Sequence, residues 1–335
     1  MTKKDLNLKD KKLLVELFQN SKQSNRQLSK KINLAKETVA KKQEFFLEEN
    51  YIRNYSCRID YSLLGHKEYH LFIRLKNISQ AKIDIIIEYL ESIDYSIWIG
   101  KSFGKYDLKI SIITPNSTFE NNINTIITNI TQKFSTEIDV IDYLLVTNKF
   151  KASSQLFLQS LINLPTLPSN IKIDAPVKSV AKPIKVDKVD KAILYELGMN
   201  PKQSIIKIAQ TLETTTDTVK YRIKKLENSH IISGYSVVFN NNKFNKIWCV
   251  ILLNFNIENL DKLKICLKKQ EYLSTYVETL GVWNFCVTFF ASNIEDLYRN
   301  LNKIRTKFSS DIRSFDYLIF FEIYKYPKVP KCILE

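Results

Sequence analysis

The sequence is poor in the residues and motifs from which catalytic and metal sites are usually built. It has only 3 histidines and 5 cysteines in 335 residues, and they are not spaced as metal ligands or as a CxxC motif. It shows no Ser/His/Asp arrangement, no pair of carboxylates spaced for acid–base work and no glycine-rich phosphate loop. These absences predict a protein with no metal site, no cofactor, no catalytic residues and no enzymatic activity.

Long apolar runs are also missing. No segment approaches the roughly 18 apolar residues that a membrane span needs, and the polar, lysine-rich first residues do not resemble a signal peptide. The scattered cysteines favour buried thiols over disulfides. We therefore expect a reduced, cytoplasmic protein that does not associate with a membrane.

Positive charge, in contrast, is abundant. Lysine and arginine number 50 against 35 aspartate and glutamate, which gives a net charge of +15. Such an excess favours a polyanionic partner such as nucleic acid, although a solvated lysine-rich surface is the alternative explanation. The hydrophobic fraction of 44 % is enough to form buried cores, and the length suits two to four domains.

The chain contains two copies of one unit. Residues 16–24 read ELFQNSKQS and residues 196–204 read ELGMNPKQS, an offset of about 180 residues that ordered matches maintain over most of both halves. Between the copies, residues 163–186 contain four prolines, which prevent a helix and favour an extended linker. A short amphipathic helix is predicted at residues 153–162, just before this linker.

The first part of each copy predicts three short helices, of which the third is basic. Leu13, Leu14 and Leu17 recur at helical spacing, and Ser24 and Ser204 are suitable caps for the second helix. Three such helices indicate a helix-turn-helix whose third helix enters the major groove. A solvated amphipathic helix is the alternative for a single copy, but recurrence after the same turn favours DNA binding. A short strand that resembles a wing follows each third helix.

The third helices supply the predicted contacts with double-stranded DNA. Threonines in their first turns suit base edges and thymine methyl groups, and the basic side chains suit phosphates. In the first copy, Ala35 replaces the capping Thr215 and Gln43 replaces Ile223, so we expect weaker base reading or a different target. The predicted DNA-binding residues are Lys36, Thr38, Lys41 and Lys42 in the first copy, and Thr216, Thr218, Tyr221, Arg222, Lys224 and Lys225 in the second.

The second part of each copy has the order strand, helix, strand, strand, helix, strand. This order predicts an α+β fold with two ferredoxin-like βαββαβ domains beside the two winged helix-turn-helix domains. The expected boundaries are residues 1–62 and 187–240 for the helix-turn-helix domains, 66–150 and 245–326 for the ferredoxin-like domains, and 151–186 for the linker. Three of the 6 glycines fall at the turns between central strands. We favour a backbone reason for them, although close approach of a ligand is the alternative.

Taken together, these features resemble the Lrp/AsnC family of leucine-responsive (feast/famine) transcriptional regulators. The second copy carries the resemblance most clearly, and the first copy and the glycine turn add to it. The matching segments are Val186-Asp187, Ile193-Leu194, Ile208-Ala209, Arg222-Ile223 and Ile231-Ile232-Ser233-Gly234-Tyr235, with Asp10, Leu13-Leu14, Val39 and Tyr51-Ile52 in the first copy and Gly104-Lys105-Tyr106-Asp107-Leu108 at the turn.

The resemblance implies that the α/β domains pair and that small effectors, often amino acids, bind near the glycine turns. The implied effector-binding residues are Gly104, Asp107, Gly281 and Asn284. The amide of Asn284 lacks the charge that a carboxylate offers to an α-amino group, which puts effector binding in the second copy in doubt. Within one chain, pairing would form a pseudo-dimer with two unlike DNA readers, suited to an asymmetric operator and open to further homo-oligomerisation.

Two alternatives stand beside this sequence-specific regulator. An architectural DNA-binding protein with little sequence preference would share the same features, and the salt dependence of its binding would distinguish it. A tetrapyrrole-modifying enzyme is the other, because some proteins of this fold pair a vestigial helix-turn-helix with decarboxylation of tetrapyrroles. Such chemistry would need a histidine or arginine in the α/β cleft, and we interpret His66 and His70 as surface or edge residues.

Overall fold

The computed structural model describes residues 6–115, 119–151, 162, 183–270, 273–326 and 329–334. The predicted helix at residues 153–162 and most of the predicted linker lie outside these ranges, with Ile162 and residues 183–186 as the exceptions. Within the described part of the chain, none of the helices has the length and apolar character of a membrane span.

Both copies have the predicted order of elements, and the predicted fold class is confirmed. The first copy comprises α1 (Leu8–Gln19), α2 (Asn25–Ile32), α3 (Lys36–Glu48), β1 (Ile52–Ile59), β2 (His66–Leu75), α4 (Gln80–Ser92), β3 (Ser96–Gly104), β4 (Leu108–Pro115), α5 (Phe119–Lys133) and β5 (Ile138–Lys151). The second copy comprises α6 (Lys188–Met199), α7 (Ile205–Thr211), α8 (Thr216–Asn228), β6 (Ile232–Phe239), β7 (Ile247–Phe255), α9 (Leu260–Lys268), β8 (Leu273–Leu280), β9 (Phe285–Ala291), α10 (Ile294–Lys307) and β10 (Ile312–Lys325).

Side-chain caps fix where the helix-turn-helix helices begin. The hydroxyls of Ser24 and Ser204 accept from backbone N–H groups at the start of α2 and α7, which satisfies donors that have no partner within the helix. Thr215 caps α8 in the same way. Ala35 gives α3 no side-chain cap, as its methyl group predicts.

The eight strands of the two α/β domains form one closed barrel in the order β10-β3-β4-β2-β5-β8-β9-β7. Each neighbouring pair is antiparallel. The last strand of each α/β domain also pairs with the second strand of the other α/β domain, so β5 joins β8 and β10 joins β3. The two α/β domains therefore pair within one chain, and the closed barrel leaves no free sheet edge between them.

Closure of the barrel determines which corresponding residues of the two copies face each other across its interior. Strands β2 and β7 occupy equivalent places in the two copies and are four antiparallel steps apart around the barrel, so they run in the same direction on opposite walls. Leucines and isoleucines on the outer face pack beneath the helices. Tyr106 is buried in the cluster inside the barrel, and its hydroxyl accepts a hydrogen bond from Trp283 Nε1 at 3.2 Å.

The two helix-turn-helix domains are joined as well. Strands β1 and β6 form an antiparallel two-stranded sheet, and each strand also packs against the helices of the other copy. Val237 and Phe239 of β6 complete the core beneath α1–α3, and Cys57 of β1 lies in the core beneath α6–α8. The predicted wing strands thus hold the two helix-turn-helix domains against each other.

Candidate nucleic-acid interface and barrel interior

Helix α8 buries one face and presents a basic, aromatic face to solvent. Val219, Ile223 and Leu226 are buried, whereas Tyr221 is 71 % exposed and Lys224 is also exposed. In the first turn, Thr216 and Thr218 are half-buried, and the Thr218 amide donates to the capping oxygen of Thr215 at 3.2 Å. The two threonines thus lie in the first turn that would meet base edges.

Arg222 and Lys42, predicted to contact phosphates, instead form ion pairs within the protein. Arg222 Nη1 donates to Asp187 Oδ2 at 2.7 Å and to Asp190 Oδ1 at 2.8 Å, and the Asp190 side chain is fully buried. These hydrogen bonds raise the pKa of Arg222 and lower that of Asp187. Lys42 pairs with Asp10 at the equivalent place in the first copy. Both pairs tie the third helix to the first, so DNA contact by either residue stays a prediction.

Three of the lysines predicted to bind DNA are exposed and have no carboxylate neighbour among the described residues, as phosphate binding requires. Lys36, Lys41 and Lys224 are exposed, and among the described residues no carboxylate lies within 4.0 Å of their ammonium groups. Lys225, also exposed, lies 3.5 Å from Asp190 Oδ2. The two recognition helices therefore offer free cations to a polyanion from both copies.

Each half of the contact between the two helix-turn-helix domains places a lysine over a tyrosine ring, and one half adds a glutamine. Lys202 lies over the Tyr55 ring at 3.8 Å and donates to Gln43 Oε1 at 2.7 Å. Burial lowers the pKa of Lys202 to about 8. In the other half Lys22 lies over Tyr235 at 3.8 Å. Gln43, which departs from the pattern of the second copy, is thus part of this contact.

At the glycine turns, the predicted effector residues bond to the protein backbone. The Leu75 amide donates to Asp107 Oδ2 at 2.7 Å, and the Phe255 amide donates to Asn284 Oδ1 at 2.8 Å. The change from aspartate to asparagine therefore preserves this strand-end hydrogen bond. Gly104 and Gly281 both have positive φ and lie against the last strand of the other copy. Effector binding at these four residues stays a prediction.

A charged cluster that the sequence analysis missed lies on the inner face of β2 and its neighbours. Lys149 Nζ donates to both oxygens of Glu68 at 2.8 and 2.9 Å, and His70 Nε2 lies 3.0 Å from Glu68 Oε1. Although burial acts to raise it, the ammonium of Lys149 and the imidazole hold the pKa of Glu68 well below its ordinary value. His70 is 5 % exposed, so its interpretation as a surface or edge residue was wrong.

Lys109 of β4 extends the cluster. Its ammonium lies 4.6 Å from the centre of the Trp98 ring and 3.4 Å from Ser111 Oγ, and burial lowers its pKa to about 8. The signal in the sequence was the alternation of Glu68 and His70 with Tyr69 and Leu71 along one strand. That alternation places the charged residues opposite the helix-covered face, but only closure of the barrel turns this opposite face into an interior.

Two sequence comparisons place the chain among helix-turn-helix proteins. A model of the winged helix-turn-helix DNA-binding family matches residues 6–53 and 186–233. An HTH-type transcriptional regulator of Pyrococcus furiosus is 24 % identical over 124 residues, 36 % of this chain and 80 % of that protein. A second one from the same organism is 24 % identical over 146 residues, 40 % of this chain and 99 % of that protein. Each relative thus corresponds to about one copy, in agreement with the duplication.

Solved structures with this fold include an enzyme. The siroheme decarboxylase NirDL covers 96 % of this chain, and this chain covers 94 % of it, with a TM-score of 0.61 and 11 % identity. Escherichia coli AsnC is 19 % identical and covers 44 % of this chain with 99 % of its own, at a TM-score of 0.39.

The likeness to the decarboxylase corrects the prediction that the chain is not an enzyme. That prediction was wrong because it treated the absence of familiar motifs as the absence of catalysis, whereas a decarboxylase shares this fold over nearly the whole chain. Charged residues that meet only in the closed barrel leave no compact motif in the sequence. Two segments of the chain match the winged helix-turn-helix DNA-binding family, and the chain resembles the Lrp/AsnC transcriptional regulators as a tandem duplicate of their unit.

Proposed function

We propose that the chain is a transcriptional regulator that reads an asymmetric DNA sequence with its two unlike recognition helices, α3 and α8. The observation that carries this proposal is the β1–β6 sheet, with its shared cores, which holds the two helices in one fixed relation. Two identical readers related by symmetry would favour a palindrome. Here the first turns read Lys36-Glu37-Thr38 and Thr216-Asp217-Thr218, so the two half-sites differ.

The exposed side chains supply the contacts that this reading needs. Lys36 and Lys41 on α3 and Lys224 on α8 suit phosphates, because no carboxylate among the described residues neutralises them. Tyr221, beside Lys224 on the exposed face, adds a donor and an aromatic surface. Phosphate contacts hold the register of a protein on the duplex, and base contacts supply specificity.

Selection from a random DNA pool tests the proposal. We expect the full chain to enrich a motif with two different halves. The variant Tyr221→Ala with Lys224→Ala should lose the half read by α8, and Lys36→Ala with Lys41→Ala the half read by α3. Each lost phosphate contact should also reduce the salt slope of binding by about one. Arg222 is unsuitable for this test, because it pairs with a buried aspartate.

A lysine far from the helix-turn-helix domains provides the matched control. Lys262 on α9 is exposed, so Lys262→Ala removes one positive charge and should leave the motif unchanged. Tight binding without any motif would replace the proposal with an architectural role. Failure of the full chain to bind duplex DNA at low salt would contradict DNA recognition altogether.

A second candidate function is decarboxylation of a tetrapyrrole, favoured by the fold that this chain shares with siroheme decarboxylase over 96 % of its length. In that reaction a side-chain carboxylate leaves as carbon dioxide and a proton takes its place. Incubation of the chain with siroheme, followed by mass spectrometry, tests this directly. The expected result is a product that has lost carboxyl groups and a shifted tetrapyrrole absorbance band. An unchanged substrate and an unshifted band would contradict it.

A further inference from the structure

The inner wall of the barrel has two unlike halves. Strands β2 and β7 face each other and run in the same direction, so Glu68 and Trp248 lie at the same level on opposite walls. Trp98 of β3 contacts Trp248 with ring centres 5.4 Å apart. At the equivalent positions, the first copy supplies Glu68, His70, Lys109 and Lys149, and the second supplies Trp248, Val250, Cys286 and Ile323.

Two buried polar atoms in this region have no hydrogen-bond partner among the described residues: His70 Nδ1 and Trp248 Nε1. Burial lowers the pKa of His70 to about 4, so its imidazole is neutral near pH 7. Since Nε2 faces the Glu68 carboxylate at 3.0 Å, Nε2 carries the hydrogen and Nδ1 is an acceptor. Trp248 Nε1 is a donor. An acceptor and a donor left unpaired in an interior are costly.

The charged cluster inside the barrel also carries a net positive charge. Two ammonium groups, Lys109 and Lys149, face one carboxylate, Glu68, and the neutral His70 adds nothing. Glu68 is already bonded to Lys149 through both oxygens, and no described carboxylate lies within 4.0 Å of Lys109 Nζ. A ligand would enter from the end of the barrel where Glu68, Lys149 and Trp248 lie, because these three residues are only half-buried.

We propose that this end of the barrel binds a small organic anion that has an apolar or aromatic body, a carboxylate and a hydrogen-bond donor. Lys109 and the Trp248 N–H group hold the carboxylate, His70 Nδ1 accepts from the hydroxyl or amino group, and Trp98 contacts the apolar body. The site is separate from the glycine turns, and its test does not depend on DNA recognition.

The tryptophans report on binding directly. The chain has 3 tryptophans, and all of them lie in the barrel, so their fluorescence responds to a ligand there. We would titrate the full chain with mandelate, which has all three features, with phenylacetate, which lacks the hydroxyl, and with benzyl alcohol, which lacks the carboxylate. Mandelate should give a saturable change. Phenylacetate should bind about fivefold more weakly for the lost hydrogen bond, and benzyl alcohol at least about tenfold more weakly for the lost charge.

Variants decide whether the binding is at this site. Lys109→Met should raise the Kd for mandelate at least about tenfold. Trp248→Phe, which removes the N–H group and keeps an aromatic ring, should raise it several-fold. Lys101→Met is the matched control, because Lys101 contacts Gln80 of α4 on the outside of the barrel. Equal Kd values for the Lys109 and Lys101 variants, or no saturable change with any of the three compounds, would overturn the proposal.

The pH profile gives a second readout. The titratable groups that face Lys109 are Glu68 and His70 on β2, Lys149 on β5 and Cys286 on β9. Glu68 stays ionised, and burial raises the pKa of Cys286 to about 12. Because the pKa of Lys109 is about 8, affinity for mandelate should be constant from about pH 6 to 7 and should fall above about pH 8, by at most about tenfold per pH unit. A flat profile through pH 9 would show that Lys109 does not hold the anion.

Discussion

Replacement of Gly104 by alanine is expected to lower the free energy of unfolding by about 3 to 5 kcal/mol. A Cβ atom there would lie 2.2 Å from the carbonyl oxygen of Tyr317 in β10. The obstacle is backbone of the strand that joins the two copies, so it cannot move aside as the end of a side chain can. The φ of +135° adds strain that only glycine avoids. Urea-induced unfolding, followed by far-UV circular dichroism, measures the loss.

Gly65 provides the matched control, because it shares the positive φ without the close contact. At φ +77° its added Cβ would meet only Pro183 at 3.5 Å, an ordinary van der Waals distance. Gly65→Ala should therefore cost only the left-handed strain, about 1 kcal/mol. Gly281→Ala should fall between the two, since the Tyr143 oxygen lies 2.8 Å away and the Leu144 methyl can shift. If Gly104→Ala costs no more than Gly65→Ala, the contact with β10 does not limit the fold.

The glycine turns also show how far local sequence patterns predict this fold. The sequence analysis placed Gly100, Gly104 and Gly281 at turns and favoured a backbone reason for them. The positive φ of Gly104 and Gly281 fits that interpretation, whereas Gly100 lies within β3. The sequence analysis could not identify what comes close to Gly104 and Gly281. The neighbouring backbone belongs to the other copy, 213 positions from Gly104 at Tyr317 and 138 from Gly281 at Tyr143. Side-chain alternation along a strand says nothing of such a distant partner.

The barrel interior escaped prediction for the same reason. Tyr69 and Leu71 lie beneath the helices, so Glu68 and His70 had to face the other side of the sheet. On an open sheet that side meets water, and charged residues there need no explanation. Pairing of β5 with β8 and of β10 with β3 encloses it. The enclosure of these residues therefore follows from the duplication rather than from either copy alone.

The recognition helices show the limit of assigning roles by charge. Lys224 and Arg222 are both basic residues of α8, yet Lys224 is exposed and Arg222 pairs with two carboxylates of α6. Helical spacing located both residues but could not reveal partners more than thirty positions away, since the α6–α8 packing sets that contact. The duplication held a hint, because acidic Asp10 and Asp190 recur in the first turn of each first helix.

Removal of the buried carboxylate, Asp190→Ala, is expected to lower the free energy of unfolding by about 3 kcal/mol. The Asp190 side chain is fully buried, accepts from Arg222 Nη1 at 2.8 Å and completes the capping box of α6 with Asp187. Its loss leaves a guanidinium that is 23 % exposed with only the outer carboxylate. Asp187→Asn is the control: asparagine is an equally good cap, and an exposed ion pair is worth at most about 1 kcal/mol.

A double variant separates the two roles that Arg222 has been given. Asp190→Leu with Arg222→Met replaces the buried pair by apolar groups of similar size, so it should recover much of the stability that Asp190→Ala loses. DNA binding by this folded variant then reports on the loss of Arg222, while Lys225 also loses its neighbouring carboxylate Asp190. A motif and salt slope like those of the unaltered chain would show that Arg222 only ties α8 to α6. A salt slope reduced by about one, in a variant as stable as the unaltered chain, would show that Arg222 leaves its carboxylates to contact a phosphate.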